Sequence, residues 1–486
     1  MDFLLSHIPD GIRPIFSSIV IMLYICVSVT ATLHILFRKR DVRSSIGWIA
    51  LVCLSPFLGT IAYILFGINR VSRKAVRLHK RNVSQIIQTY QGIKKTLPKS
   101  SIYASQFITY GRNVYQQEFC DNNNIKPLQN GTEAYPEMLD AIRAAKKEVL
   151  IESYIFDSDD ETDKFIEAFK IAASNGAQIK VLIDGVGTLD FFRRNIERKL
   201  KPIKGLQYAV FLPPRIPIAF PFLNMRNHRK IMTIDGQISF FGGMNLSKEN
   251  VLIDDIKKGV LDTTFRIEGS LIDQISQVFE DDWEFATGKS FDACPYISNR
   301  QNEQNIPARV IPNGPDNKNN VMDLIIHGAL NFALKRIVVV TPYFLPENHI
   351  LTSLEMAAMR GLSVEIIIPE VSDHLIMRWA EQYNFRRLTE RGVKIYRTPP
   401  PFDHSKIFIV DDEWAFIGSA NWDVRSFRLH FEANIELFDK ALVKQLFQIA
   451  QKKKEKAQLV TIEYCKKAGF FKRLRTNACH LLTPYY

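Results

Sequence analysis

The sequence carries the pattern His-x-Lys-x4-Asp twice, 176 residues apart in a chain of 486 residues. The residues of the two copies are His228, Lys230 and Asp235, and then His404, Lys406 and Asp411. Side chains two residues apart on a strand emerge on the same face, so each His–Lys pair shares a face. A Gly-Gly-Met-Asn segment ending at Asn245 follows the first copy, and a Gly-Ser-Ala-Asn segment ending at Asn421 follows the second. Two copies with matching tails indicate an internal duplication.

Around these motifs, short apolar runs alternate with amphipathic stretches in the same order in each half. In the first half, the run 149–151 is followed by a helical stretch at 161–174 and a run at 179–184; the second half repeats this at 337–340, 347–360 and 364–368. Strands separated by helices of this length are typical of α/β units. We expect an α/β fold of two pseudo-symmetric mixed-sheet domains with flanking helices, at 126–300 and 301–486.

Two apolar stretches without a formal charge, 15–37 and 46–68, lie near the N-terminus and are 23 residues long each. As helices each would reach about 35 Å, enough for a hydrocarbon core of roughly 30 Å. We therefore expect residues 1–70 to form a membrane helical hairpin. A cleaved signal peptide fits poorly, because the start lacks a basic region. Pro56 and Gly59 leave open a hairpin that dips into one leaflet.

The net charge of +12 is concentrated in two short segments. Residues 69–81 hold six basic groups and no acid and lead into an expected basic juxtamembrane linker at 71–125. Residues 452–475 carry a net charge of +7. This pattern favours an anionic membrane surface over a nucleic-acid groove, although a solvated charge run remains an alternative for the C-terminal segment. Seven Lys/Arg residues flank the hairpin on one side and four on the other. The positive-inside rule then predicts a cytoplasmic location for the rest of the chain.

The six cysteines form no CxxC pair. They therefore indicate neither a disulfide framework nor a zinc site. Reduced thiols fit a domain that faces the cytoplasm.

On the doubled motif and its Gly-Ser-x-Asn tail, the sequence resembles the phospholipase D superfamily. Across most of its length it is similar to the bacterial cardiolipin synthases; matching segments lie at 152–156, 227–231, 262–264, 341–344 and 425–426. The resemblance implies a phosphatidyltransferase of the bacterial inner membrane that needs no metal or other cofactor. Its implied substrate is phosphatidylglycerol, and its implied products are cardiolipin and glycerol. Asp403, His430 and Gly243 depart from the usual pattern, and Asp403 is expected to alter the basicity of His404.

A histidine pair can cleave a phosphodiester when one imidazole attacks phosphorus and the other protonates the leaving oxygen. The resemblance implies that His228 is the nucleophile and His404 the acid and base, although the near-symmetry of the motifs leaves this assignment open. It also implies that Glu432 orients His228 and that Asp262 orients His404. The two lysines and two asparagines of the motifs are expected to stabilise the phosphoryl oxygens. Asp235 and Asp411 are counted in the family's site, but their position at turns also fits a structural role.

Other functions remain open from the residues alone. A hydrolytic phospholipase D and a phosphatidylserine synthase share the motif, because water and different alcohols can attack the same phosphohistidine. A nuclease is disfavoured because no aromatic-basic platform for nucleic acid is visible. A non-enzymatic scaffold has no use for two intact motifs. The apolar, proline-rich segment at 213–223 is expected to be an interfacial loop, with a buried loop as the alternative. The sequence does not indicate the oligomeric state.

Overall fold

Apolar residues near the N-terminus form helices that pack side by side in the computed structural model. The structure describes residues 13–39, 42–67, 102–188, 190–213, 225–252, 254–255, 257–297, 304–315 and 320–483. The chain divides into two compact units, Met1–Lys74 and Ala75–Tyr486. The basic segment at 69–81 and nearly all of the proline-rich segment at 213–223 lie outside the described residues.

The helices of the first unit are α1 (Arg13–Arg38), α2 (Val42–Leu54) and α3 (Pro56–Ala62), followed by a π-helical turn at Tyr63–Gly67. The hydroxyl of Tyr24 on α1 donates to the carbonyl of Cys53, 2.7 Å away. His34 and Tyr63 lie within hydrogen-bond distance of one another, with 2.9 Å between Nδ1 and the hydroxyl oxygen. These contacts fold α2 and α3 back along α1.

A continuous second helix at 46–68 is wrong, because the chain breaks at Ser55 with φ −144°. Pro56 has no N–H group and its ring clashes with the carbonyl four residues earlier, so the helix stops and restarts with proline at its first position. Gly59 then packs on α2, where an added Cβ would lie 2.4 Å from the carbonyl oxygen of Leu51. Within the described residues, the stretch Ser18–Arg38 is long and apolar enough to cross a membrane.

The first described element of the second unit is helix α4 (Ile102–Val114), and a seven-stranded mixed sheet follows it. The elements of this first half, in chain order, are β1 (Asn124–Gln129), α5 (Asn130–Ala144), β2 (Glu148–Ser153), α6 (Asp160–Ser174), β3 (Gln178–Asp184), α7 (Asp190–Leu200), β4 (Leu206–Phe211), β5 (Ile231–Ile234), β6 (Ile238–Gly242), β7 (Val260–Leu261), β8 (Thr263–Glu268) and α8 (Leu271–Thr287). The strand order is β1-β8-β6-β5-β2-β3-β4, and only the pairs β2–β3 and β3–β4 are parallel. β7 lies outside this sheet.

The second half builds an eight-stranded sheet. Its elements are β9 (Ala308–Asn313), α9 (Val321–Phe332), β10 (Arg336–Val340), β11 (Phe344–Leu345), α10 (Asn348–Met359), β12 (Ser363–Pro369), α11 (Leu375–Glu381), α12 (Phe385–Glu390), β13 (Lys394–Thr398), β14 (Phe402–Asp403), β15 (Ile407–Val410), β16 (Trp414–Gly418), β17 (Trp422–Asp423), α13 (Val424–Arg428), β18 (Glu432–Phe438), α14 (Lys440–Glu455), β19 (Gln458–Leu459), α15 (Ile462–Lys466) and α16 (Phe470–Leu481). The sheet order is β19-β13-β12-β10-β15-β16-β18-β9, with β10, β12 and β13 parallel.

The two sheets have equivalent topologies. Written from its first strand, the second sheet runs β9-β18-β16-β15-β10-β12-β13, which matches β1-β8-β6-β5-β2-β3-β4 strand for strand; β19 is an added edge. One apolar cluster contains Ile231 and Phe265 from the first sheet together with Ile407 and Ile417 from the second, so the two sheets share a core. The expected α/β fold with two pseudo-symmetric halves is confirmed.

Candidate active site

Each motif histidine lies just before a central strand, His228 before β5 and His404 before β15. Its backbone N–H donates to a carbonyl of the opposite half: His228 to Phe431 at 2.9 Å, and His404 to Leu261 at 2.7 Å. The short pairs between residues 227 and 431 and between β7 and β14 extend these contacts. The duplicated halves therefore fix each other's histidine through the main chain.

The residue after each accepting carbonyl is a carboxylate that faces the same histidine. Both oxygens of Glu432 lie 3.1 Å from His228 Nδ1, and an oxygen of Asp262 lies 2.9 Å from His404 Nδ1. The carbonyl oxygen of Ser419 also lies 3.2 Å from His228 Nδ1, and a carbonyl can only accept. Nδ1 of His228 therefore carries the proton, which leaves Nε2 with a free lone pair.

The two imidazoles face each other across one cavity of about 160 Å³. Their ring centroids are 6.2 Å apart and their planes are inclined by 78°. Burial, followed by the charges of Lys230 and Lys406, lowers the pKa of His228 well below its ordinary value. Burial also lowers the pKa of His404, and Asp262 opposes that shift. The imidazole of His228 is thus more firmly neutral than that of His404.

Both motif lysines are buried beside their histidines. The ammonium of Lys230 donates to the carbonyl of His228 at 2.6 Å, and that of Lys406 donates to the carbonyl of His404. Burial lowers the pKa of Lys230 to about 7 and that of Lys406 to about 8. An anionic phosphate in the cavity would favour the charged form of both lysines.

Asn245 and Asn421 line the same cavity from opposite halves. The side-chain oxygen of Asn245 accepts a bond from the backbone N–H of Ile155 at 3.2 Å. The side-chain oxygen of Asn421 has no hydrogen-bond partner among the described residues. Each asparagine thus keeps amide groups available to a ligand.

Asp235 and Asp411 lie at the far ends of β5 and β15, away from the imidazoles. Each adopts a left-handed backbone conformation, with φ of 52° and 56°. The carboxylate of Asp235 accepts the backbone N–H groups of residues 146, 147 and 148, and that of Asp411 accepts those of residues 334, 335 and 336. The structure does not bring these aspartates to the cavity that the two imidazoles share; they hold the starts of β2 and β10.

Asp403, expected to act on His404, is instead paired with a lysine. Its carboxylate lies 2.6 Å from the ammonium of Lys453 and accepts the backbone N–H of Ser405 at 3.1 Å. Although burial opposes it, the charge of Lys453 holds the pKa of Asp403 below its ordinary value. The added negative charge is therefore neutralised within this pair.

A third imidazole, His430, was not assigned from the sequence. Its ring centroid lies 5.6 Å from that of His228, and it lines the same cavity. Neither ring nitrogen has a hydrogen-bond partner in the part of the chain that the structure describes, and Nδ1 stays 3.8 Å from Glu432. Burial lowers the pKa of His430 to about 3, so the ring is neutral. Its replacement of the usual asparagine is the sequence signal that points to it.

The nitrogen and oxygen atoms of His228, His430 and Glu432 lie within 4.8 Å of one another. Such a donor set can hold a transition-metal ion. Glu432, however, already accepts bonds from the hydroxyls of Ser419 at 2.5 Å and Ser426 at 2.8 Å, besides facing His228. This bonding pattern fits a carboxylate that orients an imidazole.

A buried polar network supports the first motif from behind and was also missed. The guanidinium of Arg229 bonds to Asp282 at 2.5 Å and to the carbonyl of Asn313 at 3.1 Å. The side-chain amide of Asn227 bonds to Asp282 and to Glu152. These residues are distant in sequence, so only the folded chain reveals the network.

The fold resembles that of a solved enzyme. The structure of phosphatidylserine synthase from Haemophilus influenzae aligns with a TM-score of 0.62 and 16% identity, covering 78% of this chain and 99% of that one. At this identity the likeness shows the fold. Together with the two opposed motifs, it defines a protein of the phospholipase D class.

Sequence comparison then gives the family. A family model described as cardiolipin synthase, PLD-like domain, matches residues 138–283 and 326–453, more than half of the chain, and the chain belongs to this family. The cardiolipin synthase of Alkalihalophilus pseudofirmus is 30% identical, with 93% of this chain and 90% of that protein covered. A probable cardiolipin synthase of Bacillus subtilis is 29% identical over the same shares, and one from Clostridium perfringens is 29% identical over 92% and 95%. The expected family and enzyme class are confirmed.

The N-terminal unit has its own match. A model described as phospholipase D-nuclease N-terminal covers residues 26–67, which include the second half of α1 and all of α2 and α3. With the apolar stretch Ser18–Arg38, it supports association with a membrane.

Proposed function

We propose that this chain transfers the phosphatidyl group of one phosphatidylglycerol to the terminal hydroxyl of a second, giving cardiolipin and glycerol. The observation that carries the proposal is the pair of imidazoles on one cavity, His228 and His404, each facing a carboxylate supplied by the other half. Such a pair can supply both a nucleophile and a proton donor for one phosphodiester.

In the first step, Nε2 of His228 attacks phosphorus and the bond to the headgroup oxygen breaks. The anionic phosphate in the cavity favours the charged form of His404. Protonated His404 then gives its proton to that oxygen, glycerol leaves, and a phosphatidyl-histidine remains. In the second step, neutral His404 takes the proton from the hydroxyl of the second phosphatidylglycerol. The hydroxyl oxygen attacks phosphorus, the bond to His228 breaks, and both imidazoles return to their starting states.

The surroundings of the histidines support this assignment of roles. Glu432 is held by the hydroxyls of Ser419 and Ser426, so it fixes the ring of His228 firmly, as an in-line nucleophile requires. His404 is slightly more exposed than His228, 8% against 6%, and the carboxylate of Asp262 opposes the fall of its pKa. A residue that exchanges protons with entering and leaving alcohols benefits from both properties.

Charge on the phosphoryl oxygens grows in both transition states. Lys230 and Lys406 are positioned to neutralise it, and Asn245 and Asn421 to donate hydrogen bonds from the cavity wall. Because this charge compensation comes from side chains, the proposal assigns no step to a metal ion. Asp235 and Asp411 are proposed to act on the fold rather than on the phosphate.

The lining of the cavity favours a headgroup that donates hydrogen bonds. Asp157, Glu249, Asp373 and Asp423 all line the cavity. Carboxylates accept bonds from the hydroxyls of a glycerol headgroup. This lining fits phosphatidylglycerol as donor and as acceptor.

Transfer is favoured over hydrolysis by local concentration. A site held at a lipid surface meets headgroup hydroxyls at high effective concentration, so a second lipid competes with water for the phosphatidyl-histidine. One phosphodiester replaces another, so little free energy is lost and abundant glycerol is expected to reverse the reaction.

The test is to give the full chain labelled phosphatidylglycerol in mixed micelles and to identify every product. We expect cardiolipin and glycerol in a one-to-one ratio, with little phosphatidic acid. A product mixture dominated by phosphatidic acid would make the chain a hydrolase. The variant His404→Ala is expected to accumulate the adduct on His228 by intact-mass analysis, and an adduct on another residue would overturn the roles.

We further propose that the chain is an integral protein of a bacterial inner membrane, with residues 70–486 in the cytoplasm. The support is the distribution of Lys and Arg around the N-terminal apolar segments, seven on one side and four on the other. Protease added outside intact spheroplasts should leave residues 70–486 uncut, whereas digestion of that part would reverse the topology. Whether both apolar segments span the bilayer is tested by labelling single cysteines placed in the connector at 38–43.

A further inference from the structure

Helix α16 (Phe470–Leu481) is amphipathic, but its apolar side faces the solvent instead of the protein. Phe470, Leu474 and Leu481 follow a spacing of four and seven residues, so they lie on one side of the helix, with Phe471 next to them. All four are exposed; 73% of Phe470 and 81% of Phe471 is accessible to solvent. An ordinary surface helix of a soluble domain would bury such a stripe.

The opposite side of α16 faces the protein. Thr476 is buried, and the thiol-bearing Cys479 packs on the apolar cluster that contains Met377. The ring of His480 stacks on Tyr383 with centroids 3.9 Å apart, and the guanidinium of Arg475 lies 4.3 Å from the ring centre of Trp379. These contacts fix the helix so that its apolar stripe points outward.

Helix α16 packs against α11 (Leu375–Glu381), which borders the catalytic cavity. Met377 of α11 lines the cavity together with His374, just before the helix. On the outside of α11, Leu375 and Ile376 are exposed as well. The apolar stripe therefore belongs to a pair of helices at the rim of the cavity.

The segment around this stripe is strongly basic. Between residues 463 and 475 there are five cations and one acid, the cations being Lys466, Lys467, Lys472, Arg473 and Arg475. Exposed aromatic and aliphatic side chains beside a basic cluster are typical of a helix that lies in the interface of an anionic bilayer. Charge complementarity thus favours a lipid surface over an apolar protein partner.

We propose that α11 and α16 form a membrane-docking rim, which inserts the exposed stripe of α16 into an anionic bilayer beside the catalytic cavity. The rim brings the cavity to the lipid surface independently of the N-terminal apolar helices. The inference rests on the proposed function only where it treats the cavity as a headgroup site.

The first experiment measures insertion directly. The full chain carrying Phe471→Trp is reconstituted in vesicles of phosphatidylglycerol and phosphatidylcholine whose acyl chains carry bromine, a quencher of tryptophan. The matched control is Ile171→Trp on α6, an exposed aliphatic position far from the rim in sequence. After subtraction of the native signal, we expect at least twofold stronger quenching at 471 than at 171. Equal quenching at the two positions, or none at 471, would overturn the proposal.

The second experiment measures the consequence for catalysis. Phe470→Ser with Leu474→Ser should raise the surface mole fraction of phosphatidylglycerol needed for half-maximal rate several-fold, with kcat unchanged. The control, Met356→Ser with Met359→Ser, removes two other exposed apolar side chains, which lie on α10. An equal effect in both variants, or a change in kcat alone, would overturn the proposal. Crosslinking between copies through residue 471 without quenching would assign the stripe to a second chain instead. Quenching does not depend on turnover, so it tests membrane docking alone. The identity of the products tests the proposed function separately.

Discussion

Replacing Lys230 by methionine should stabilise the protein while it abolishes activity. Lys230 is buried, and burial lowers its pKa from 10.5 to about 7, with the charge of Lys406 adding to the shift. The difference of about 3.5 units corresponds to roughly 5 kcal/mol of unfavourable free energy for the charged form, at 1.36 kcal/mol per unit. Methionine has a similar length and no charge. Allowing about 1 kcal/mol for the lost bond to the carbonyl of His228, we expect a net gain of about 4 kcal/mol at pH 7.

The sign of the pH dependence follows from proton binding. The folded-state pKa of Lys230 lies below the unfolded one, so between about pH 7 and 10.5 the unfolded chain binds a proton that the folded chain has released. The free energy of unfolding of the wild-type protein should therefore rise between pH 7 and 10.5. At pH 7 and below, nearly the full free-energy cost of burying the charged Lys230 is present. The advantage of Lys230→Met should shrink as the pH rises and vanish near pH 10.5.

The assay is thermal unfolding of the full chain in detergent between pH 6 and pH 10. With an unfolding entropy of about 2.1 cal/mol/K per residue over the roughly 400 residues of Ala75–Tyr486, 4 kcal/mol corresponds to about 5 °C. Lys406→Met should gain less, about 2 kcal/mol, because burial lowers the pKa of Lys406 only to about 8 and the bond to the carbonyl of His404 is lost as well. Lys126→Met, at an exposed lysine paired with Glu137, is the control and should change little. A Lys230→Met variant that melts at or below the wild-type temperature at pH 7 would refute the reasoning, as would a gain that is independent of pH.

Three further predictions concern turnover. For the free enzyme, kcat/KM should fall as the pH rises past about 7, because Lys230 loses the charge that neutralises the phosphate; a profile that rises from pH 7 to 9 would contradict its role. Glu432→Gln and Asp262→Asn should each lower kcat by on the order of 10²–10⁴. Only Asp262→Asn should let the adduct on His228 accumulate in intact-mass spectra. If Glu432→Gln accumulated an adduct on His404 instead, the roles of the two histidines would be exchanged. Asp235→Asn should lower the free energy of unfolding by about 1–3 kcal/mol and leave kcat within about threefold. A tenfold loss of kcat at unchanged melting temperature would return Asp235 to the catalytic set.

The sequence predicts those parts of the fold and site that depend on local pattern. The doubled motif and the strand–helix alternation predict the two matching sheets, and the resemblance supplies the contacts of Glu432 and Asp262. For the helix break at Ser55, the sequence indicates only that Pro56 can interrupt the second apolar segment. The outward turn of Asp235 depends on a left-handed backbone conformation, which the residue type allows but does not require.

Features built by tertiary contact could not be predicted. The cavity lining combines carboxylates from four segments between residues 157 and 423, and no spacing rule connects them. The bond from Ser419 to Glu432 depends on a register between β16 and β18 that only the folded sheet fixes, and Ser426 reaches the same carboxylate from α13. The outward stripe of α16 has the same periodicity as a buried one, so its direction is decided by what the rest of the chain leaves uncovered.

The two halves have diverged at one equivalent position that bears directly on the division of labour between the histidines. Ser419 donates a hydroxyl to Glu432, whereas the first half has Gly243 at the same point of its motif. A Cβ at Gly243 would lie 2.9 Å from an oxygen of Asp262 and 3.0 Å from the side chain of Lys406, so a serine there would displace these side chains from their places beside His404. Asp262 is instead bonded to the backbone N–H of the next residue at 2.7 Å, besides facing His404. Because this shorter carboxylate lacks the hydroxyl contacts that fix Glu432, its imidazole is less firmly held. We infer that the duplication gave one rigid imidazole suited to forming the covalent bond and one more adaptable imidazole suited to moving protons.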